Sequence, residues 1–346
     1  MRGTTQIWNQ GKWLSSFIKK LTLISICQAV SLSAIAGVSD GFESAYKPMP
    51  AQISPYALRA QMLGISAKGS AIVAVGEHGV ILRSDDGGLK WKQMPSPIDV
   101  TLTSVAFVSD KKVIVVGHGG VILQSGDSGL NWSIKNYEPK NNKYYLIVKF
   151  INDSRGYITG TDGEVLTSND GGESWERSVL TSADGMQGHI FGITESSSRM
   201  VAVGEKGAVF VSKNRGGSWQ QMESPYAGSF FGVTPLTADR YLIYGMRGRA
   251  YILQFQTDMK SIWSEIKTDS TQFFLDAAVT DNGHSIIVGR GGTLIELDAS
   301  GNILHKLEQT NKAEINAIMV KGDNAFLLTS KGGVERKVLK DIFLEK

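Results

Sequence analysis

One unit recurs seven times along the chain. Each copy is an apolar run closed by a Gly-x-x-Gly turn, as in "IVAVGEHGVILRS", "VIVVGHGGVILQS" and "MVAVGEKGAVFVS", and it persists in "YLIYGMRGRAYIL", "SIIVGRGGTLIEL" and "AFLLTSKGGVERK". Aligned on Gly76, Gly117, Gly160, Gly204, Gly245, Gly289 and Ser330, the copies are spaced by 41, 43, 44, 41, 44 and 41 residues. A period of this length filled with short β-branched runs and turns is that of propeller blades with four strands each. In the second copy the strands read "LTSVAFVSD" (innermost), "KKVIVVG", "GVILQS" and "NWSIKNY" (outermost), and no helix-period pattern interrupts them. The expected fold is therefore an all-β, seven-bladed propeller over residues 44–346. "YKPMP" at 46–50 matches "WKQMP" at 91–95, while the seventh copy ends without a good fourth strand. Residues 44–50 are accordingly expected to close the last blade as its outer strand, so that no long edge is left open.

A second motif, Ser-x-Asp/Asn-x-Gly-x-x-Trp, follows the first in four copies: "SDDGGLKW" at 84–91, "SGDSGLNW" at 125–132, "SNDGGESW" at 168–175 and "SKNRGGSW" at 212–219. Four uses of one acidic turn point to architecture. Asp86, Asp127, Asp170 and Asn214 can each accept backbone N–H groups within the turn. Glycine supplies positive φ, and Trp91, Trp132, Trp175 and Trp219, with Trp263 in the fifth copy, supply apolar area between blades. A twelve-residue calcium loop ending in a bidentate Glu is absent. The acidic turn has decayed to "FQTDMKSI" in the fifth copy and "DASGNIL" in the sixth, and is gone from the seventh.

The first 36 residues differ from the rest. They hold Arg2, Lys12, Lys19 and Lys20, no acid, and the apolar run "LTLISICQAVSLSAIA" with an Ala-x-Ala site at its end. Residues 1–36 are expected to be a secretory signal and 37–43 a short linker, which implies export to the periplasm, or to a thylakoid lumen in a photosynthetic source. Cleavage would remove Cys27, the only cysteine, and with it any thiol chemistry. It would also remove four positive charges from a formal net of +3, leaving −1, so bulk charge gives no argument for nucleic acid.

The Ser-x-Asp-x-Gly-x-x-Trp turns resemble Asp-box (bacterial neuraminidase) repeats. An arrangement of seven repeats, with Gly-x-x-Gly ahead of the acidic turn, resembles the photosystem II stability and assembly factor family of propellers. That resemblance implies a non-enzymatic helper that lies peripheral to a membrane and binds a membrane protein or its precursor, as a monomer and without a cofactor. Asp-box repeats also occur in glycan-cleaving enzymes, so the alternative is a glycan-binding or sialidase-like propeller. The Arg-Ile-Pro motif common in sialidases does not occur in this chain.

Within a blade, the second-to-third and fourth-to-first connections share one face, opposite the acidic turns. The Gly-x-x-Gly turns thus align around one rim, which offers His78, His118, Lys206, Arg247, Arg249, Arg290 and Lys331 as a partner-binding set suited to an acidic segment. His78 and His118 lack a carboxylate at ligand spacing, and the turns lack the Lys-Ser/Thr and helix of a phosphate loop, so neither metal nor phosphate binding is expected. None of the three arginines is expected to support a contact between blades.

Overall fold

The computed structural model describes residues 47–343 except 198, 257–259 and 309–312. The expected signal, the linker and residues 44–46 lie outside the described residues. The chain divides after Lys47, and the unit from Pro48 onward holds every described strand.

That unit is a seven-bladed propeller. Six sheets have four antiparallel strands in simple sequence order, innermost first. The second blade, for example, runs Leu102–Phe107, Val113–Gly117, Ile122–Ser125 and Ser133–Asn136. Among the described residues the seventh has three: Ile315–Lys321, Asn324–Thr329 and Val334–Val338. Residues 47–50, the described part of the expected closing strand, form no strand. Pro48 and Pro50 have no N–H to offer a ladder.

The second strand of each blade is an unbroken apolar run because both its faces are covered by neighbouring blades; all five residues of Val113–Gly117 are buried, as are all five of Ser285–Gly289. Every inner strand carries a register shift after its first paired residue, at Met62/Gly64, Leu102/Ser104, Ile190/Gly192, Phe230/Gly232, Phe274/Asp276 and Ile315/Ala317, and opposite Thr159/Gly160 in the third blade. Such a bulge sharpens the local twist just below the rim.

The apolar core is a set of seams between blades. Val73, Val75 and Ile81 of blade one pack with Val105, Val113 and Leu123 of blade two, and Trp132 closes the cluster from outside. Trp175, Trp219, Trp263 and Trp91 serve the next seams in the same way, the last at the join between blades seven and one. There Met62, Ala74 and Leu82 meet Ala317 and Leu328. Lys321 Nζ donates to the Gly69 carbonyl across the same join.

The acidic turns clamp these seams. Ser84 Oγ donates to Asp86 Oδ1 (2.8 Å) and accepts from Gly88 N–H (2.8 Å), while Asp86 Oδ1 takes the N–H groups of Leu89 (3.0 Å) and Lys90 (2.9 Å). Hydrogen bonds led by that of Lys90 hold the Asp86 carboxyl below its ordinary range. Asp127 repeats the pattern with Leu130 (3.1 Å) and Asn131 (2.8 Å), and Asn214 Oδ1 does so with Ser218 N–H (2.8 Å). The shared glycine is dictated by the preceding blade: a Cβ on Gly88 would lie 2.3 Å from the Phe326 ring, and one on Gly172 2.2 Å from Ile114 Cδ1. Both residues also have positive φ.

The sixth blade keeps the clamp without the motif. Asp298 Oδ1 accepts Ser300 N–H and Asn302 N–H, both at 2.8 Å, and Arg240 of blade five donates to the carbonyls of Ala299 and Ser300 at 3.0 Å. Arg83 makes the matching contact between blades one and two, to the Ser128 carbonyl (2.8 Å). Asp127→Ala and Asp298→Ala should therefore each lower the melting temperature by roughly 2–4 °C with an unchanged far-UV spectrum. A loss in the first variant alone, in thermal melts, would show that the sixth turn does not depend on its carboxylate.

Candidate docking face

The Gly-x-x-Gly connections fold as single 3-10 turns on one face, among them Glu77–Gly79, Glu205–Gly207, Met246–Gly248 and Arg290–Gly292. The middle residue is left-handed, with φ of 56° at His78, 55° at Asp162, 52° at Lys206 and 56° at Arg247. The closing glycine is forced by the backbone beside it. A Cβ on Gly207 would sit 1.8 Å from the Tyr226 carbonyl oxygen, and one on Gly248 1.9 Å from that of Ser270. Each turn is thus pinned against the fourth-to-first connection of its own blade, and the middle side chain is left in solvent at His78, Lys206 and Arg247.

The seven rim residues do not form one patch. Arg247 and Arg249 come together at the mouth of a pocket of about 540 Å³, walled by Tyr226, Glu265, Lys267 and the 268–271 loop. Arg249 is ion-paired to Glu265, whose hydrogen bond raises the guanidinium's already high pKa, and both side chains stay roughly half exposed. Lys306 Nζ steadies the far wall through the carbonyls of Thr268 (3.0 Å) and Asp269 (3.1 Å). Lys206 belongs to a separate pocket of about 230 Å³ with Asp184, Met186 and Glu205, where its ammonium lies 3.0 Å from Met186 Sδ. Lys331 is exposed at the rim of blade seven.

Two residues depart from expectation. Arg290 is structural: its Nε lies 3.0 Å from Glu314 Oε1 in the loop leading into blade seven, its guanidinium lies 5.2 Å from the Phe273 ring centre, and its side chain is only 12% exposed. It ends a row of rings, His189, Phe191, Phe231 and Phe273, that crosses the starts of the inner strands at centroid spacings of 6.1, 5.5 and 5.9 Å. An arginine stacked and paired between blades supports the ring of blades, contrary to the reading of all three arginines as free of such contacts. His118 is likewise withdrawn from the surface. It is 8% exposed, meets Tyr144 edge-to-face at 4.9 Å, and burial lowers its pKa to about 4.

Glu265 and Glu314 were not foreseen as partners of the rim arginines. Ala250 pairs with Ile266, which brings Arg249 beside Glu265, but that register can be read only once the outer strand has been aligned. Among the described residues no group of three or more His, Cys, Asp and Glu is placed to hold a metal. Glu296 is instead shared between His284 Nδ1 (2.8 Å) and His305 Nδ1 (2.7 Å).

The fold and its clamped turns define a seven-bladed propeller of the Asp-box type with a cationic pocket on the opposite face. Residues 89–261 match the family described as photosynthesis system II assembly factor YCF48, and the chain belongs to that family. The search of curated proteins found no match. Among solved structures, YCF48 bound to a D1 peptide is similar at 20% identity and a TM-score of 0.64, over 84% of this chain and 97% of that one. YCF48 from Cyanidioschyzon merolae is similar at 18% identity and 0.66, over 84% and 98%. The WD40 propeller domain of Doa1 is similar at 11% identity and 0.63, over 80% and 92%, which shows how widely the architecture is shared.

His118 gives the face a pH signature. Its folded pKa is depressed below the ordinary 6.5, so the stability it contributes is complete above pH 6.5 and is lost as pH falls toward about 4. His118→Phe, which keeps a ring beside Tyr144, should flatten the fall in melting temperature across that window while leaving partner affinity at neutral pH unchanged. Parallel melting curves for wild type and variant from pH 7 to pH 4 would assign the window to other groups.

Proposed function

We propose that the chain is an exported, monomeric, non-enzymatic propeller that holds an acidic segment of a membrane protein or its precursor in the pocket beside Arg247 and Arg249. The observation that carries this reading is the pairing of two exposed arginines at an open pocket in a protein of the YCF48 family. A propeller of the same fold has been solved with a D1 peptide bound. Arginine holds a carboxylate with two parallel hydrogen bonds, and Glu265 keeps the Arg249 guanidinium oriented until a competing carboxylate displaces it. Export rests on the signal-like composition of residues 1–36.

Binding is favoured over hydrolysis by the state of the carboxylate that most resembles sialidase chemistry. Tyr157 donates to Glu195, and Arg155 lies 3.3 Å from the same carboxylate, a grouping that could in principle serve a sugar. The Arg155 and Glu195 side chains are 8% and 4% exposed, and burial pushes the Tyr157 phenol well above its usual range. No sugar ring reaches a tyrosine enclosed in this way.

The double variant Arg247→Glu/Arg249→Glu should weaken binding of a D1 peptide at least tenfold, mainly through slower association, and remove most of its salt dependence. Lys90→Glu/Lys92→Glu, a change of equal charge in and just after the first acidic turn, should change little. Surface plasmon resonance at low and high salt decides. Unchanged binding in the arginine variant would move the site away from blade five, and turnover of a fluorogenic sialoside by wild type would favour the glycan reading instead.

A further inference from the structure

Residues 48–60 lead into blade one along its outer margin, and they are held in place. Ala51 N–H donates to the Ser96 carbonyl (3.0 Å), Ser54 N–H to Gln93 Oε1 (2.8 Å), and Gln93 Nε2 to the Gln52 carbonyl (2.9 Å). Ala51 and Ala57 are buried, the latter in the seam between blades one and seven. The larger apolar side chains of the same segment are outside: Met49 is 61% exposed, Ile53 58%, Tyr56 71% and Leu58 48%. A segment that is fixed by its small residues while presenting its large ones is an exposed apolar patch, not a frayed end.

The segment itself carries charge of one sign. No Asp or Glu occurs from residue 48 to residue 76, and Arg59 within that stretch is exposed. The backbone of Leu58 and Arg59 lies against the rim turn of blade seven, so closely that a Cβ on Gly332 would meet the Arg59 carbonyl at 2.0 Å and one on Gly333 that of Leu58 at 2.5 Å. This places exposed Lys331 beside the patch, on the face that also carries Arg247 and Arg249.

Exposed Met, Ile, Leu and a Tyr, in a segment that carries Arg59 and no carboxylate and lies beside Lys331, have the chemistry of an interfacial membrane contact. The apolar groups enter the boundary of the acyl chains, Tyr sits at headgroup depth, and the cations meet anionic lipid. We propose that the patch of Met49, Ile53, Tyr56 and Leu58, with Arg59 and Lys331, seats the propeller on an anionic bilayer surface. The pocket beside Arg247 and Arg249 and the patch then face the same membrane, where a segment of a membrane protein would emerge. The inference does not depend on which peptide the pocket takes.

The test is co-sedimentation with vesicles of phosphatidylcholine, with and without 30% phosphatidylglycerol as an order-of-magnitude anionic content. The protein used begins at Gly37, which retains every described residue. Wild type should bind the anionic vesicles and bind neutral ones at least about tenfold more weakly. Ile53→Ser/Tyr56→Ser/Leu58→Ser should lose at least about tenfold of the anionic binding at an unchanged melting temperature. Arg59→Glu/Lys331→Glu, which leaves the apolar groups in place, should abolish the preference for anionic lipid. Arg247→Gln/Arg249→Gln, which adds no negative charge to the face, should lose the D1 peptide and keep most vesicle binding, whereas the serine variant should do the reverse, so failure of the peptide reading and failure of this one are distinguishable. Absence of vesicle binding in wild type, or equal binding by the serine variant, overturns the proposal. So does a serine variant that keeps vesicle binding and loses the D1 peptide, which would make the patch a protein-docking surface.

Discussion

A sheet whose second strand is buried on both faces cannot stand alone, and this constraint governs the molecule. The five buried residues of Val113–Gly117 need blade one on one side and blade three on the other, and the same holds around the ring. Burial of apolar area at about 25 cal/mol per Å² drives the stacking, but it is non-directional and would not by itself fix the angle between blades. The acidic turns supply direction. At Gly88, Gly129 and Gly172 a Cβ would fall within 3 Å of a side chain of the preceding blade, and Arg83 or Arg240 reaches across to the carbonyls of the next turn. Fit and hydrogen bonding thus act on the outer half of the seam, while apolar area fills the inner half.

The fold was legible because its period is carried by residues with a mechanical duty. The glycine that ends each Gly-x-x-Gly turn cannot be another residue where a Cβ would fall 1.8 or 1.9 Å from a carbonyl oxygen. Trp132 and its equivalents mark seams. The turn of blade six lacks the Ser and Trp of the motif, yet Asp298 still accepts two backbone N–H groups, one of them four residues on as in the other turns. A motif of several residues conceals that one of them, the carboxylate, does most of the local work. The bulge in every inner strand left no mark in the pattern, since the residues flanking it are apolar, small or polar without regularity.

The docking face was legible in placement and not in chemistry. Sequence alignment puts His118, Arg247 and Arg290 in equivalent turns, and the structure keeps them there. The turns are equivalent but the positions are not, since His118 and Arg290 stand second in Gly-x-x-Gly and Arg247 third, at the left-handed tip, and each meets a different neighbour. His118 opens a Gly-Gly turn that folds under Tyr144, Arg290 finds Phe273 and Glu314, and Arg247 finds open space. Those neighbours come from the fourth-to-first connections, the least regular segments of the repeat. Place within the turn therefore sets exposure: from Glu77 to Arg290 the second residue is buried or half-buried, while the third, where it is not glycine, is exposed.

The left-handed residue at the tip of the turn sharpens the distinction between residues that build and residues that bind. An L-residue at φ near +55° costs about 1 kcal/mol relative to glycine, and Asn or Asp tolerates it best. Blade six takes the inexpensive solution with Gly291 at φ 64°, and blade three takes Asp162. Blade five instead carries Arg247 at φ 56°, exposed, at a site where the backbone would be better served by glycine. The turn itself is fixed by Gly245 and Gly248, which are pressed against the Ser229 and Ser270 carbonyls, so nothing in the architecture asks for a guanidinium there. His78 and Lys206 carry the same conformation at φ 56° and 52°, so the strain is common to three tips, and what sets Arg247 apart is the second guanidinium, Arg249, at the mouth of the same pocket.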